Sequence, residues 1–239
     1  MSPPIDDAAF VRAQYQTEEN LRARKSAYAG AEGDDPREFA FEAVAVAAPQ
    51  RVLEVGGGEG ELAERILNEL GAEVIGIDQS PRMVEIQRSR GIDARHGDVE
   101  ALPFADAEFD VAVAAWMLYH VPDLDRGLAE LARVLKPGGR LVAVTNGADH
   151  LQELWELAGR PSSVRRFTFR GENGEEALRP HFRAVARHDA HGWLTMDTDT
   201  IRRFAASWDE LASLVTAGPF DRPLRVRRHS TVFVAEKAS

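Results

Sequence analysis

The stretch "RVLEVGGGEGELAERILNEL", residues 51–70, constrains the fold more than any other part of the chain. Its first five residues read as a short buried strand, and from Glu61 to Leu70 the apolar positions recur at helical spacing until Gly71 stops them. Between the two lie five positions, four of them glycine. A strand that turns into a helix through glycines exposes free backbone N–H groups and lets another molecule approach the backbone closely. "EVIGID", residues 73–78, supplies a second strand, so the segment is a βαβ unit, which implies a parallel sheet.

The alternation continues on both sides of this unit. Phe39, Phe41, Val44, Ala45 and Ala48 predict a helix from Pro36 to Ala48, with Pro36 acceptable in a first turn and Pro49 as its stop. A helix follows Ser80 and Pro81, then a short strand near "ARHGD", then the apolar run "FDVAVAAWML" from Phe109, which predicts a strand buried on both faces. A helix from Asp123 to Leu135 ends at "KPGG", and "RLVAVTN" gives a fifth strand. "FRAVARHDA" and "STVFVAEK" read as two more, separated by helical material from Asp199 to Ala217. The expected fold is therefore α/β, a doubly wound, mostly parallel seven-stranded sheet with helical lid elements. Its expected parts are an N-terminal helical cap at 1–35, a core at 36–147, and a lid with the last two strands at 148–239, within the same domain.

A chain of 239 residues can bury a substantial core without staples. The absence of cysteine excludes disulfides, thiolate metal sites and cysteine nucleophiles, and no cluster of acids and histidines has the spacing of metal ligands. No apolar stretch approaches the ~18 residues of a membrane span and the start lacks a leader pattern, so a cytoplasmic location is the simplest expectation. The net charge of −10 is uneven: residues 1–158 carry −14 and residues 159–239 carry +4. A negative body disfavours nucleic acid, while the arginine-rich tail either keeps nucleic acid open or faces an anionic small substrate. Oligomeric state is not readable.

The glycine loop asks for a ligand. About twenty positions on, Asp78 ends the second strand where a carboxylate can accept ribose hydroxyls, which points to an adenosine-containing cofactor. "GEGELA", residues 58–63, also fits the dinucleotide pattern, so an NAD-dependent oxidoreductase is one alternative. Glu54 and Glu59 argue against it, because carboxylates beside a pyrophosphate are unfavourable. A cofactor with a positive centre and no phosphate removes the conflict.

At Glu54, Gly56, Gly58 and Gly60 the sequence resembles class I S-adenosylmethionine-dependent methyltransferases, whose first motif is (D/E)xGxGxG. Asp78 and Gln79 in "GIDQS", Asp98 and Val99 in "HGDVEALPF", and the segments "FDVAVAAWMLYHVPD" and "RVLKPGGRLV" extend the likeness to the small-molecule, quinone-biosynthesis-like branch. The resemblance covers about 36–147; beyond that it is architectural.

It implies a small-molecule substrate, with Glu54 ordering the loop and the amino-acid end of the cofactor, Asp78 on the ribose, Asp98 at the adenine amino group with Val99 packed nearby, and Met83 over the adenine face. Ala115 and Trp116 are expected to border the cofactor because strand C-termini line the crevice of such sheets. His120, after the fourth strand, is the candidate general base; Tyr119, His191 and Trp193 are weaker candidates, and Tyr15 or Arg22 of an N-terminal helix are placed to reach the site. A nucleic-acid methyltransferase and a protein that binds the cofactor without methyl transfer stay open.

Overall fold

The computed structural model describes residue 6, residues 17–216 and residues 220–239. In chain order it contains α1 (Glu19–Ser26), β1 (Glu32–Gly33), α2 (Pro36–Val46), β2 (Arg51–Val55), α3 (Glu61–Leu70), β3 (Glu73–Asp78), α4 (Pro81–Ser89), β4 (Asp93–His96) and β5 (Phe109–Ala115). A 3-10 turn (Leu118–His120) follows, then α5 (Leu124–Val134), β6 (Leu135–Asn146), α6 (Gln152–Leu157), α7 (Gly174–Leu178), β7 (Ala184–Met196), α8 (Thr198–Ala206), α9 (Ala212–Val215) and β8 (Leu224–Glu236). Tyr15 lies outside the described residues.

The helices begin where side chains satisfy their first free N–H groups. Asp35 accepts from the Arg37 N–H ahead of Pro36, Ser80 from Met83, Asp123 from Arg126 and Asp197 from Thr200. α3 instead enters from Gly60 and leaves at Gly71, both left-handed.

One sheet runs in the order β1-β7-β8-β6-β5-β2-β3-β4. β4, β3, β2, β5 and β6 are parallel, and β8 runs antiparallel between β6 and β7. The residues of β5 alternate from Val111 on as a two-sided strand must: Val111 and Val113 pack with α2, α3 and α4, whereas Ala112 and Ala114 pack with α5, and a bulge between Phe109 and Val111 puts Phe109 on that second face as well. A third apolar cluster, with Leu154, Trp155, Leu194, Met196, Ile201 and Phe204, sits under the lid and also takes in Ala27, just after α1.

Two details depart from the sequence reading. The sheet has eight strands rather than seven, because Glu32 and Gly33 pair with Trp193 and Gly192 at its edge. That approach needs glycine: a Cβ on Gly192 would lie 2.0 Å from the Glu32 carbonyl oxygen. Two residues are too few to leave a periodic pattern. The "KPGG" stretch lies within β6, where the pairing with β5 jumps from Phe109–Leu135 to Val111–Arg140, a bulge that absorbs it. Among the described residues no helix is long and apolar enough to cross a membrane.

Candidate active site

The C-terminal ends of β2, β3, β5 and β6 open into one cavity of about 540 Å³, roofed by α1 and the lid. Its size and mixed lining are those of a small-ligand site.

At its first end stands the glycine loop. Gly56, Gly58 and Gly60 have φ of 61°, 57° and 76°, a conformation that disfavours side chains. Gly57 is required for another reason, since a Cβ there would fall 2.1 Å from Oε2 of Glu54. Gln87 of α4, a residue the sequence reading did not single out, donates from Nε2 to the Gly58 carbonyl at 2.9 Å and ties the loop to the neighbouring helix. Being an ordinary helix glutamine, it left no signal.

Glu54 is 2 % exposed, and its Oε2 has no hydrogen-bond partner. Burial and then the nearby charge of Asp78 push its carboxyl up to about 7. Asp78 accepts from the Ser80 N–H at 2.9 Å, and burial pushes it up to about 6, against hydrogen bonds from the Ser80 and Gly58 backbone. A buried acid beside a half-buried one, with no cation in contact, is costly. The two suit a ligand carrying hydroxyl donors and positive charge, and they oppose a pyrophosphate.

Glu59 does something different from Glu54. Its side chain turns away from the cavity and takes Arg22 Nε and Lys25 Nζ of α1, each at 2.9 Å. The second acid of the loop is thus the anchor of the helix that covers it. The reach of Arg22 is to this anchor, not to the cavity lining.

Of the residues expected from the sequence, Glu54, Gly56, Gly58, Asp78, Gln79, Met83, Val99, Ala115 and His120 line the cavity, and so do Trp116 and Tyr119. Gly60 does not, being packed against Gln87 and Ile92. Asp98 does not either. It is exposed, its Oδ1 accepts from the Glu100 N–H at 2.9 Å to close a turn, and Gly97 and Val99 face the cavity instead. His191 and Trp193 lie on β7 away from the cavity, the first against His229 and the second beneath Arg225.

Trp116, directly after β5, has φ 54° and donates from Nε1 to Asn146 Oδ1 at 3.1 Å. A left-handed tryptophan costs about 1–2 kcal/mol, and strain of this kind gathers where backbone is held for function.

The other end of the cavity escaped the sequence reading. Tyr28 OH lies 2.8 Å from Nε2 of His150, a residue four positions beyond β6. Burial pushes Tyr28 up to about 12 and His150 down to about 3, so both are neutral around neutral pH. Arg228 and Ser230 of β8 and the aromatic rings of Trp155, Phe204 and Trp208 complete this end. A histidine just past a strand's C-terminal end was the only available signal.

A doubly wound sheet with its last strand reversed, a left-handed glycine loop and acids at the ends of β2 and β3 is the arrangement that the resemblance to class I S-adenosylmethionine-dependent methyltransferases implies. Residues 53–143 match the model of the methyltransferase domain family. The demethylmenaquinone methyltransferase of Thermus thermophilus is 41% identical over 104 residues, which cover 41% of this chain and 47% of that one. The chain spans about half the length of the curated relatives it matches. Among solved structures, the YcgJ protein of Bacillus subtilis superposes with a TM-score of 0.63 at 22% identity, covering 84% of this chain and 99% of that one. The [4+2]-cyclase SpnF does so with a TM-score of 0.63 at 22% identity over 100% of this chain and 98% of its own.

Proposed function

We propose that this chain transfers a methyl group from S-adenosylmethionine to an oxygen, nitrogen or carbon nucleophile of a small molecule. The observation that carries the reading is the pair of acids without a contacting cation, buried Glu54 and half-buried Asp78, flanking the glycine loop at one end of a cavity whose other end is aromatic. When bound, the cofactor supplies a methyl group on a sulfonium, already electrophilic. Asp78, with Gln79 beside it, would hold the ribose hydroxyls; Met83, Gly97 and Val99 would enclose the adenine; Glu54 would face the cationic amino-acid end.

The protein's own work is then positioning and exclusion of water. Trp116, clamped by Asn146, fixes the cavity wall after β5, and α1, latched through Glu59, closes the roof. A proton leaving the nucleophile would pass to His120, which lines the cavity one turn beyond Trp116. A cavity of this volume favours a small acceptor over nucleic acid. The relatives named for menaquinone and ubiquinone biosynthesis make a quinone-type ring the first acceptor to try.

Calorimetric titration with S-adenosylhomocysteine and with NAD tests the cofactor; tight NAD binding with no response to S-adenosylhomocysteine sinks the reading. Incubation with S-adenosylmethionine and a cell extract, followed by detection of S-adenosylhomocysteine and mass spectrometry of the product, tests the transfer. Cofactor binding without turnover would instead favour a protein that keeps the cofactor for another purpose.

A further inference from the structure

We propose that the end of the cavity away from the glycine loop is built to hold an anion, and that the methyl acceptor is a flat, largely apolar small molecule carrying a carboxylate that pairs with Arg228. This rests on the methyltransferase reading for the word acceptor, though not for the anion.

Arg228 lies on β8, two residues before Ser230 and four before Val232, hence on the sheet face that Val232 shares with α2. It is 7 % exposed, and it lines the cavity. Its Nη2 donates to the Asp34 carbonyl. That is one acceptor for a group with five N–H donors, and among the described residues no carboxylate forms an ion pair with it.

The neighbouring cations differ. Around the same cavity Arg37 is paired with Asp35, Arg65 with Glu38, and Lys25 with Glu59 and Glu61. Arg24 lies over the Trp208 ring and donates to the Ser207 carbonyl. Arg228 alone of these is buried with neither a carboxylate at ion-pair distance nor an aromatic face; the Asp35 carboxylate, already paired with Arg37, feels its charge only at longer range. A guanidinium cannot shed its proton, so its burial calls for an anion brought from outside.

The surroundings define what that anion is attached to. Tyr28 and His150, bonded to each other and both neutral, contribute no charge to offset Arg228. Trp155 and Phe204, each 3 % exposed and packed in one cluster with Tyr28 and Trp208, supply a flat apolar wall. β8 stands three strands from β2 in the sheet order, which at strand spacing is about 14 Å. The anion site is therefore set apart from the glycine loop, on the far side of Ala115 and Asn146.

The test uses two probes of one shape, 2-naphthoate and 2-naphthamide, titrated by calorimetry into the full chain saturated with S-adenosylhomocysteine. The wild type is expected to bind the carboxylate at least tenfold more tightly than the amide. Arg228→Met should bring the two within twofold while leaving S-adenosylhomocysteine affinity within twofold of wild type. Arg228→Lys, which keeps a charge without the planar fork, should fall between and covers the case in which the methionine variant does not fold.

Equal affinity of the wild type for both probes, including no binding of either, overturns the proposal, as does a preference that survives in Arg228→Met. A tenfold loss of S-adenosylhomocysteine affinity in that variant puts the guanidinium on the cofactor's own carboxylate and also overturns it. If the wild type does not bind S-adenosylhomocysteine at all, the methyltransferase reading falls, and the same comparison made without it still tests Arg228.

Discussion

The two ends of one cavity carry opposite, uncompensated charge. Beside the glycine loop, buried Glu54 and half-buried Asp78 are acids without a contacting cation; above β8, Arg228 is a buried cation without a carboxylate at ion-pair distance. Glu59, the other buried acid of the loop, is by contrast paired with Arg22 and Lys25. The contrast teaches that the cost of the lone charges is a record of what each end is meant to bind: a cationic nucleoside at one, an anion at the other.

The harshest way to separate the two ends is to cut into the aromatic wall. Phe204 is 3 % exposed and packs in the cluster with Trp155 and Tyr28, so Phe204→Ala should lower stability by about 3–5 kcal/mol in denaturant titration. At low denaturant, S-adenosylhomocysteine affinity should stay within twofold; a larger loss would mean that the ends are not independent.

Glu54→Gln attacks the acidic end through its charge. Below about pH 4.5 the Glu54 carboxyl is protonated folded or unfolded. As pH rises toward 7 the unfolded chain loses that proton first, so the stability this group contributes is lost through its folded value of about 7. The glutamine variant should therefore melt higher than wild type by an amount that grows from pH 5 to pH 8, on the order of 2–3 kcal/mol at the top. It should bind S-adenosylhomocysteine at least tenfold more weakly. A gain in stability with unchanged affinity would make Glu54 a helix cap and nothing more.

For Asp78→Ala the expected loss of S-adenosylhomocysteine affinity is about 1.5–3 kcal/mol, the scale of hydrogen bonds to a charged group. Unchanged calorimetric affinity would remove the ribose assignment. The smallest effect belongs to the latch. Glu59→Gln should cost about 1 kcal/mol, since Arg22 is largely exposed and its share is screened. Limited proteolysis should then cut first in α1, and a cleavage pattern identical to wild type would show that the helix is held by other contacts.

The acidic end was legible in the chain and the basic end was not. Glu54, the glycines and Asp78 lie within 25 consecutive positions, and each does a job set by its place at a strand end, so order along the chain conveys order in space. Asp98 marks the limit of that logic: a "GD" at a strand end predicts an acid toward the ligand, yet a turn hydrogen bond to the Glu100 N–H swings it outward. Glu59 was noticed for its charge beside the loop, but its partners Arg22 and Lys25 come from 37 and 34 residues away.

The alternation of strands and helices, the glycine loop and the two acids follow from local chemistry, because backbone conformation, capping and the 3.6 and 2 residue periods act over a few positions. The sequence by itself therefore determined a doubly wound sheet and the kind of cofactor its loop accepts. Tertiary structure alone decided the other half of the cavity, where Tyr28, His150 and Arg228 meet across separations of 122 and 78 residues. No short-range rule brings them together; the reversed strand β8 does, by carrying Arg228 back over the end of the sheet to the segment between α1 and α2 that holds Tyr28 and Asp34.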